Sequence, residues 1–141
     1  MDVAAVTRDR LAAQSQRATP ARLRLAEVIA QASHPVTIAE ILEHDSSFAL
    51  SSTYRNLTVL EQAGILHRIV TNDDIVRYEL AEPFAGHHHH LMCEGCGAVI
   101  DVPLADLERA VHEAADAVAA SHGFRTTAHR IDLIGRCADC A

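Results

Sequence analysis

Tryptophan and lysine are both missing from this 141-residue chain, and its only aromatic carbocycles are three phenylalanines and two tyrosines. Leu, Val, Ile and Ala must therefore carry the packing, in a chain whose length suits one ordinary domain or two small ones. Without lysine, contacts to phosphate have to come from arginine, hydroxyls, amides or helix N-termini. A net charge of −7 excludes a uniformly basic coat for nucleic acid. It does not exclude a local patch, because Arg8, Arg10, Arg17, Arg22 and Arg24 face the single acid Asp9 in one segment. No apolar run approaches the roughly 20 residues that span a bilayer, and MDVAAVTRDR lacks the layout of a signal peptide. These absences predict a cytoplasmic protein with no membrane partner.

Cysteine is scarce but patterned. The four cysteines form two C-x-x-C pairs, Cys93-Glu94-Gly95-Cys96 and Cys137-Ala138-Asp139-Cys140, and in a reducing compartment that pattern argues for metal rather than disulfides. A tight turn presents two thiolates to one ion, and four thiolates close a tetrahedral zinc site with no open position for substrate. The long gap from Cys96 to Cys137 means that a helix and strand are looped out between the knuckles, with the ion clamping both ends. Such a clamp contributes on the order of 10 kcal/mol.

Punctuation along the chain predicts an α+β protein. Thr19 caps a helix with Pro20 at its first position, opening ARLRLAEVIAQA with Leu23, Leu25, Val28 and Ile29 toward a core. Thr37 can cap IAEILEHD. Ser51 or Ser52 can cap LSSTYRNLTVLEQAG, with Leu57, Leu60 and Ala63 at helical spacing and Gly64 as the stop. ILHRIV and IVRYEL, separated by TNDD, read as a hairpin. Helix, helix, hydroxyl-rich helix and hairpin is the order of a winged helix-turn-helix. The expected division is a winged-helix domain over 1-80, a hinge at AEPFAG over 81-86, and an α/β domain over 87-141. In the last, strands at HHHHLM, AVIDV and TTAHRIDLIG accompany a helix from Leu104 to Ser121.

Four consecutive histidines, His87 to His90, precede the first knuckle. In an extended chain neighbouring side chains point to opposite faces, so His87 and His89 belong to one site while His88 and His90 belong to another. Glu108 on the long helix and His129 on the last strand can complete the first. Glu79, His67 and His34 are the candidates for the second, which would tie the two halves of the chain together. Taken singly, His34 and His67 read equally as solvated residues, His112 as an exposed helix residue, His44 and His122 as surface or cap residues. Asp101 either supports a ligand from behind or faces solvent.

Taken together, RATPARLRLAEVI, LSSTYRNLTVLEQAGIL, RYEL, HHHHLMCEGCGAVID and HGFRTTAHRIDLIGRCADC resemble the ferric-uptake-regulator family of metal-dependent repressors, nearest its zinc-uptake branch, from about Arg17 to Cys140. The resemblance implies a homodimer in which a winged helix is hinged to a dimerisation domain, bound to double-stranded operator DNA when the hinge metal is present. It implies structural Zn2+ at Cys93, Cys96, Cys137 and Cys140, and a regulatory site at His88, His90 and Glu79 with His34 or His67. An additional site would use His87, His89, Glu108 and His129. Tyr54 and Arg55 occupy recognition-helix positions, with Ser52, Thr53 and Arg17 as further DNA contacts. The chain departs from the zinc branch in having no fifth cysteine and in carrying His67 where zinc sensors tend to have aspartate. Zn2+ suits the nitrogen-and-oxygen regulatory set, and Fe2+, Mn2+ or Ni2+ would be accepted as well.

Protonation of the histidines is then expected to weaken operator binding as pH falls through about 6. Within the family, iron with histidine oxidation would make a peroxide sensor. Outside it, the competing class is a zinc hydrolase, but neither HExxH nor HxE…PCxxC is present, so no enzyme is expected. A metal store would have no use for the winged helix.

Overall fold

Thr19 does what its place before a proline predicts. In the computed structural model, which describes residues 1–71 and 73–141, its hydroxyl accepts from the Arg22 amide at 3.4 Å. This opens the second helix of the chain, α2 (Pro20–Gln31), after α1 (Val3–Ala13), whose Asp2 accepts from the Ala5 amide at 2.9 Å. Sequence punctuation did not delimit α1, because its only deeply buried side chains are Thr7 and Leu11. A two-residue strand, β1 (Val36–Thr37), leads into α3 (Ile38–His44). There Thr37 and Glu40 bond reciprocally to each other's backbone amides in a capping box.

The next helix, α4 (Leu50–Gln62), corrects the expected cap. Neither Ser51 nor Ser52 precedes it. Ala49 takes the extended cap conformation, and the Ser52 and Thr53 hydroxyls donate to its carbonyl at 2.9 and 3.0 Å. Those hydroxyls therefore bond backward along the helix instead of receiving its free amides. Gly64, at φ 67°, follows the helix as expected.

The strands β2 (Leu66–Val70) and β3 (Val76–Leu80) pair antiparallel, placing His67 opposite Glu79, while β1 adds to the other side of β3 in the order β1-β3-β2. The anticipated TNDD turn includes Asn72, which lies outside the described residues. Leu11, Leu25, Ile41, Leu57, Leu60 and Ile65 form the centre of the core beneath this sheet and its helices. This is a winged helix with its own apolar interior.

The segment expected as the hinge contains a short helix. Glu82–Ala85 form a helical turn, α5, with Pro83 at its start, and Phe84 packs against the winged-helix core with Arg10 5.6 Å above its ring. The second sheet has the order β5-β4-β6, from β4 (His89–Cys93), β5 (Val99–Val102) and β6 (Asp132–Gly135), with α6 (Ala105–Ser121) between β5 and β6. β4 pairs antiparallel with β5 and parallel with β6. The central strand β4 and the outer strand β6 are shorter than expected. His87 and His88 precede β4, whose pairing begins with His89 opposite Val102, and His129 precedes β6, whose parallel pairing begins only at His90 opposite Asp132. Among the described residues no helix is long and apolar enough to cross a membrane.

Candidate metal centres

The parallel pairing of β4 with β6 brings the two knuckles to one end of the second sheet. The sulfurs of Cys93, Cys96, Cys137 and Cys140 lie within 4.8 Å of one another, and Cys96 Sγ is 3.8 Å from Cys137 Sγ. Zinc–sulfur bonds of about 2.3 Å in a tetrahedron require sulfur–sulfur edges of about 3.8 Å, so the donor set fits that ion. A Cβ at Gly95 would stand 2.8 Å from Cys140 Cβ; the bare residue lets the knuckles approach. Amide donation from Cys137 and Cys96 lowers the Cys93 thiol to about 6, while the crowd of sulfurs from Cys137, Cys96 and Cys93 pushes Cys140 up to about 12. Four thiolates this close need a cation among them.

The histidine tetrad divides by faces. On one face His88 Nε2 and His90 Nε2 lie 3.1 and 3.2 Å from Glu79 Oε2. Their other nitrogens have partners: His88 Nδ1 meets the Gly86 carbonyl at 3.0 Å, and His90 Nδ1 meets Asp132 Oδ1 at 3.0 Å. A carbonyl can only accept, so the His88 Nδ1 carries the hydrogen, and Asp132 favours the same tautomer at His90. Both Nε2 atoms then face a carboxylate with a lone pair unless a proton or a metal ion intervenes, and a hydrogen bond behind the ligand atom is how metal-binding histidines are oriented. Burial opposes charging of His90, but hydrogen bonds to Glu79 and Asp132 outweigh it and raise its pKa. Burial likewise works against Glu79, yet contacts with His67, His90 and His88 hold its carboxyl well below the usual range. Without metal, the cluster satisfies itself with protons.

Asp101, opposite His90 in the β4–β5 register, belongs to this cluster and completes a set whose ligand atoms lie within 4.8 Å. Its carboxyl is raised by burial in spite of the nearby His88. The pairing of HHHHLM with AVIDV could have signalled it, since paired positions share a face. His67 approaches from behind, its Nδ1 3.0 Å from the other Glu79 oxygen. Of the two alternatives His34 and His67, His34 lies outside this set and turns to Glu40 Oε1 at 3.3 Å, with a half-exposed side chain. The α2–β1 connection that carries it keeps its ring with the capping-box glutamate.

On the opposite face His87, His89 and His129 converge through Nε2 on Glu108 Oε2, at 3.2, 2.8 and 3.0 Å. One carboxylate oxygen has too few lone pairs for three donors, whereas an ion at the centre of the four would use one atom of each. Burial would raise Glu108, but hydrogen bonds from His89 and His129 bring it down to about 2. His112 touches the second Glu108 oxygen at 3.2 Å from an exposed position. Sequence reading missed Glu82, whose Oε1 receives His87 Nδ1 at 2.8 Å from the helical turn α5.

Of the candidate DNA contacts, Tyr54, Arg55 and Arg17 are exposed and Ser52 half-buried. Thr53 is a correction, being 1% exposed with its hydroxyl committed to the Ala49 carbonyl; it braces α4 from inside.

A winged helix joined through a helical turn to a mixed sheet, with one thiolate cluster and two imidazole–carboxylate clusters, defines a two-part metal-binding protein. Residues 13–134 match the ferric uptake regulator family, and the chain belongs to that family. It is 33% identical over 100 residues to the ferric uptake regulation protein of Campylobacter jejuni, over 70% of this chain and 59% of that protein. The chain thus spans less than two thirds of that relative's length. It is 31% identical over 129 residues to the peroxide-responsive repressor PerR of Staphylococcus saprophyticus, covering 88% of this chain and 82% of the repressor. The crystal structure of the Vibrio cholerae ferric uptake regulator superposes with a TM-score of 0.74 at 27% identity, covering 92% of this chain and 98% of that one. These relatives are regulators by name, not enzymes.

Proposed function

We propose that the protein is a metal-dependent transcriptional repressor that binds palindromic operator DNA as a homodimer when its interdomain histidine site is filled. The observation that carries this reading is Glu79. It stands on the last strand of the wing and shares one carboxylate oxygen with His88 and His90, which approach the second sheet from beyond α5. An ion held by Glu79, His88, His90 and Asp101 would replace the protons that otherwise separate these groups, fixing the wing against the second sheet. By linkage, operator affinity then rises only as far as the metal prefers that closed arrangement. Exposed Tyr54 and Arg55 on α4 and Arg17 ahead of α2 are the candidate DNA contacts in a chain without lysine.

We assign Zn2+ to Cys93, Cys96, Cys137 and Cys140 in a structural role, and Zn2+ to the interdomain site. Its nitrogen-and-oxygen donors also suit Fe2+, Mn2+ and Ni2+, and the second cluster, His87, His89, Glu108 and His129, is an additional site. Dimerisation is supported by the apolar face of the second sheet, where Leu91, Ile100 and Leu133 are in register and exposed beside a groove of about 240 Å³. The likeness to a peroxide-responsive repressor supports a second reading in which the interdomain site holds iron and a histidine is oxidised by peroxide.

The test is operator binding titrated with buffered zinc, iron(II), manganese and nickel, on protein keeping one zinc per chain at the thiolates. One ion should raise affinity at least about 10-fold, Glu79→Ala and His90→Ala should abolish that rise, and Arg55→Ala should weaken binding at every metal concentration. Operator affinity that ignores every ion would overturn the proposal.

A further inference from the structure

Two residues of β2, His67 and Ile69, and Thr71 just beyond its end lie on one side of the wing, as the two-residue period requires. His67 stands at Glu79 and so at the interdomain cluster. Ile69 is fully buried, yet it does not belong to the winged-helix core; its buried neighbours are Met92 on β4 and Val99 on β5. Arg77, beneath Thr71, is 8% exposed despite its charge. It reaches Asp73 with Nη1 and Nη2, at 3.2 and 2.9 Å, and with Nη1 also the Ile75 carbonyl at 3.2 Å and the Thr71 hydroxyl. The Asp73 carboxylate in turn accepts from the Ile75 amide at 3.0 Å and from the Thr71 hydroxyl.

This network abuts the first knuckle. Gly97 directly follows Cys96, is buried, and has φ 72°. A Cβ there would overlap the Asp73 carboxylate and come within 2.6 Å of Arg77 Nη2. The bare backbone of the knuckle is thus the seat for a wing turn whose charges are already paired with each other. A buried arginine is tolerable only when paired and hydrogen-bonded, and here every partner is supplied by the wing, so the contact demands no ion.

We infer that the wing is latched to the C-terminal sheet independently of the regulatory metal, by Ile69 between Met92 and Val99 and by the Asp73–Arg77 pair seated on Gly97. This rests on the regulator reading and adds to it: the interdomain histidines close a seam whose far end is already docked beside the structural thiolates. A ligand acting on a fractionally populated competent state has its apparent affinity reduced by that fraction. The latch therefore sets how much metal the switch needs.

Hydrogen exchange tests this on full-length protein with one zinc per chain retained at the thiolates and the remaining metal removed by mild chelation. Peptides covering 66–71 and 91–99 should be protected in the wild type. Asp73→Ala, which leaves the knuckle itself untouched, should raise exchange in both, and Gly97→Ala should do the same. In operator titrations Asp73→Ala should shift the half-saturating metal concentration upward by about 3-fold to 10-fold. Exchange in both peptides unchanged by Asp73→Ala would overturn the latch. Should the peptides open in Asp73→Ala while wild-type operator binding ignores metal, the latch stands and the regulator reading falls.

Discussion

The two halves of this molecule are stabilised by different means. The winged helix closes an apolar interior of its own, with Leu11, Leu25, Leu57, Leu60 and Ile65 at 0% exposure. The C-terminal half has comparable elements but little interior: Met92, Cys93, Val99 and Ala119 are its buried apolar side chains, and α6 buries only Ala119 along its 17 residues. Leu91, Ile100, Val118, Phe124 and Ile134 face outward instead. Below a certain core size a unit needs a metal, a disulfide or a partner, and here the thiolate cluster joins the end of β4 to the chain following β6. Burial stabilises one half; the other offers a thiolate cluster and an exposed apolar face in place of a large core.

The largest expected effect breaks that contrast at its metal. Cys137→Ser should release the thiolate ion, worth on the order of 10 kcal/mol at neutral pH, and unfold the C-terminal half. The winged helix should keep its own cooperative transition. Circular dichroism melts with zinc analysis check this; a C-terminal half that retains its exchange protection without zinc would refute the division. Next in size is Leu57→Ala, which should lower winged-helix stability by about 2–5 kcal/mol through loss of burial and a residual cavity. Bound zinc should stay unchanged. A loss of zinc in that variant would show the halves to be one cooperative unit.

The same division explains what could be read without a structure. Local chemistry carried the N-terminal half: Thr19 before Pro20, Thr37 three residues before Glu40, and β-branched runs around a turn each need only neighbours in sequence. The opposed faces of His87 to His90 followed from backbone geometry, and that alternation persists although only His89 and His90 lie within β4. Residues brought in by pairing between distant segments were harder. Asp101 depends on the β4–β5 register, Asp132 on a parallel pairing, and Glu82 on a connection that coils into a helical turn. The choice between His34 and His67 was open for the converse reason: a histidine near a helix end looks available in sequence, although a nearby glutamate engages it. Thr53 shows the limit of residue type, since a hydroxyl on α4 can face the core as readily as solvent. The seat of Asp73 and Arg77 on Gly97 joins a turn to a knuckle and leaves no local mark.

A smaller change sharpens the contrast from inside the winged helix. Thr7 on α1 is fully buried, and its hydroxyl has no hydrogen-bond partner among the described residues. A buried polar group left unsatisfied costs about 1–3 kcal/mol. Valine keeps the branched shape and nearly the same helix propensity, so Thr7→Val should stabilise the first transition by about 1 kcal/mol. For a domain of this size that is a rise of about 4–8 °C in its midpoint. The transition assigned to the C-terminal half, zinc content and metal-dependent operator binding should be unaffected, because the substitution lies in the apolar interior that the histidine sites do not share. An unchanged or lowered midpoint would mean that the Thr7 hydroxyl has a partner in solution, with α1 docking through a hydrogen bond rather than through apolar contact alone.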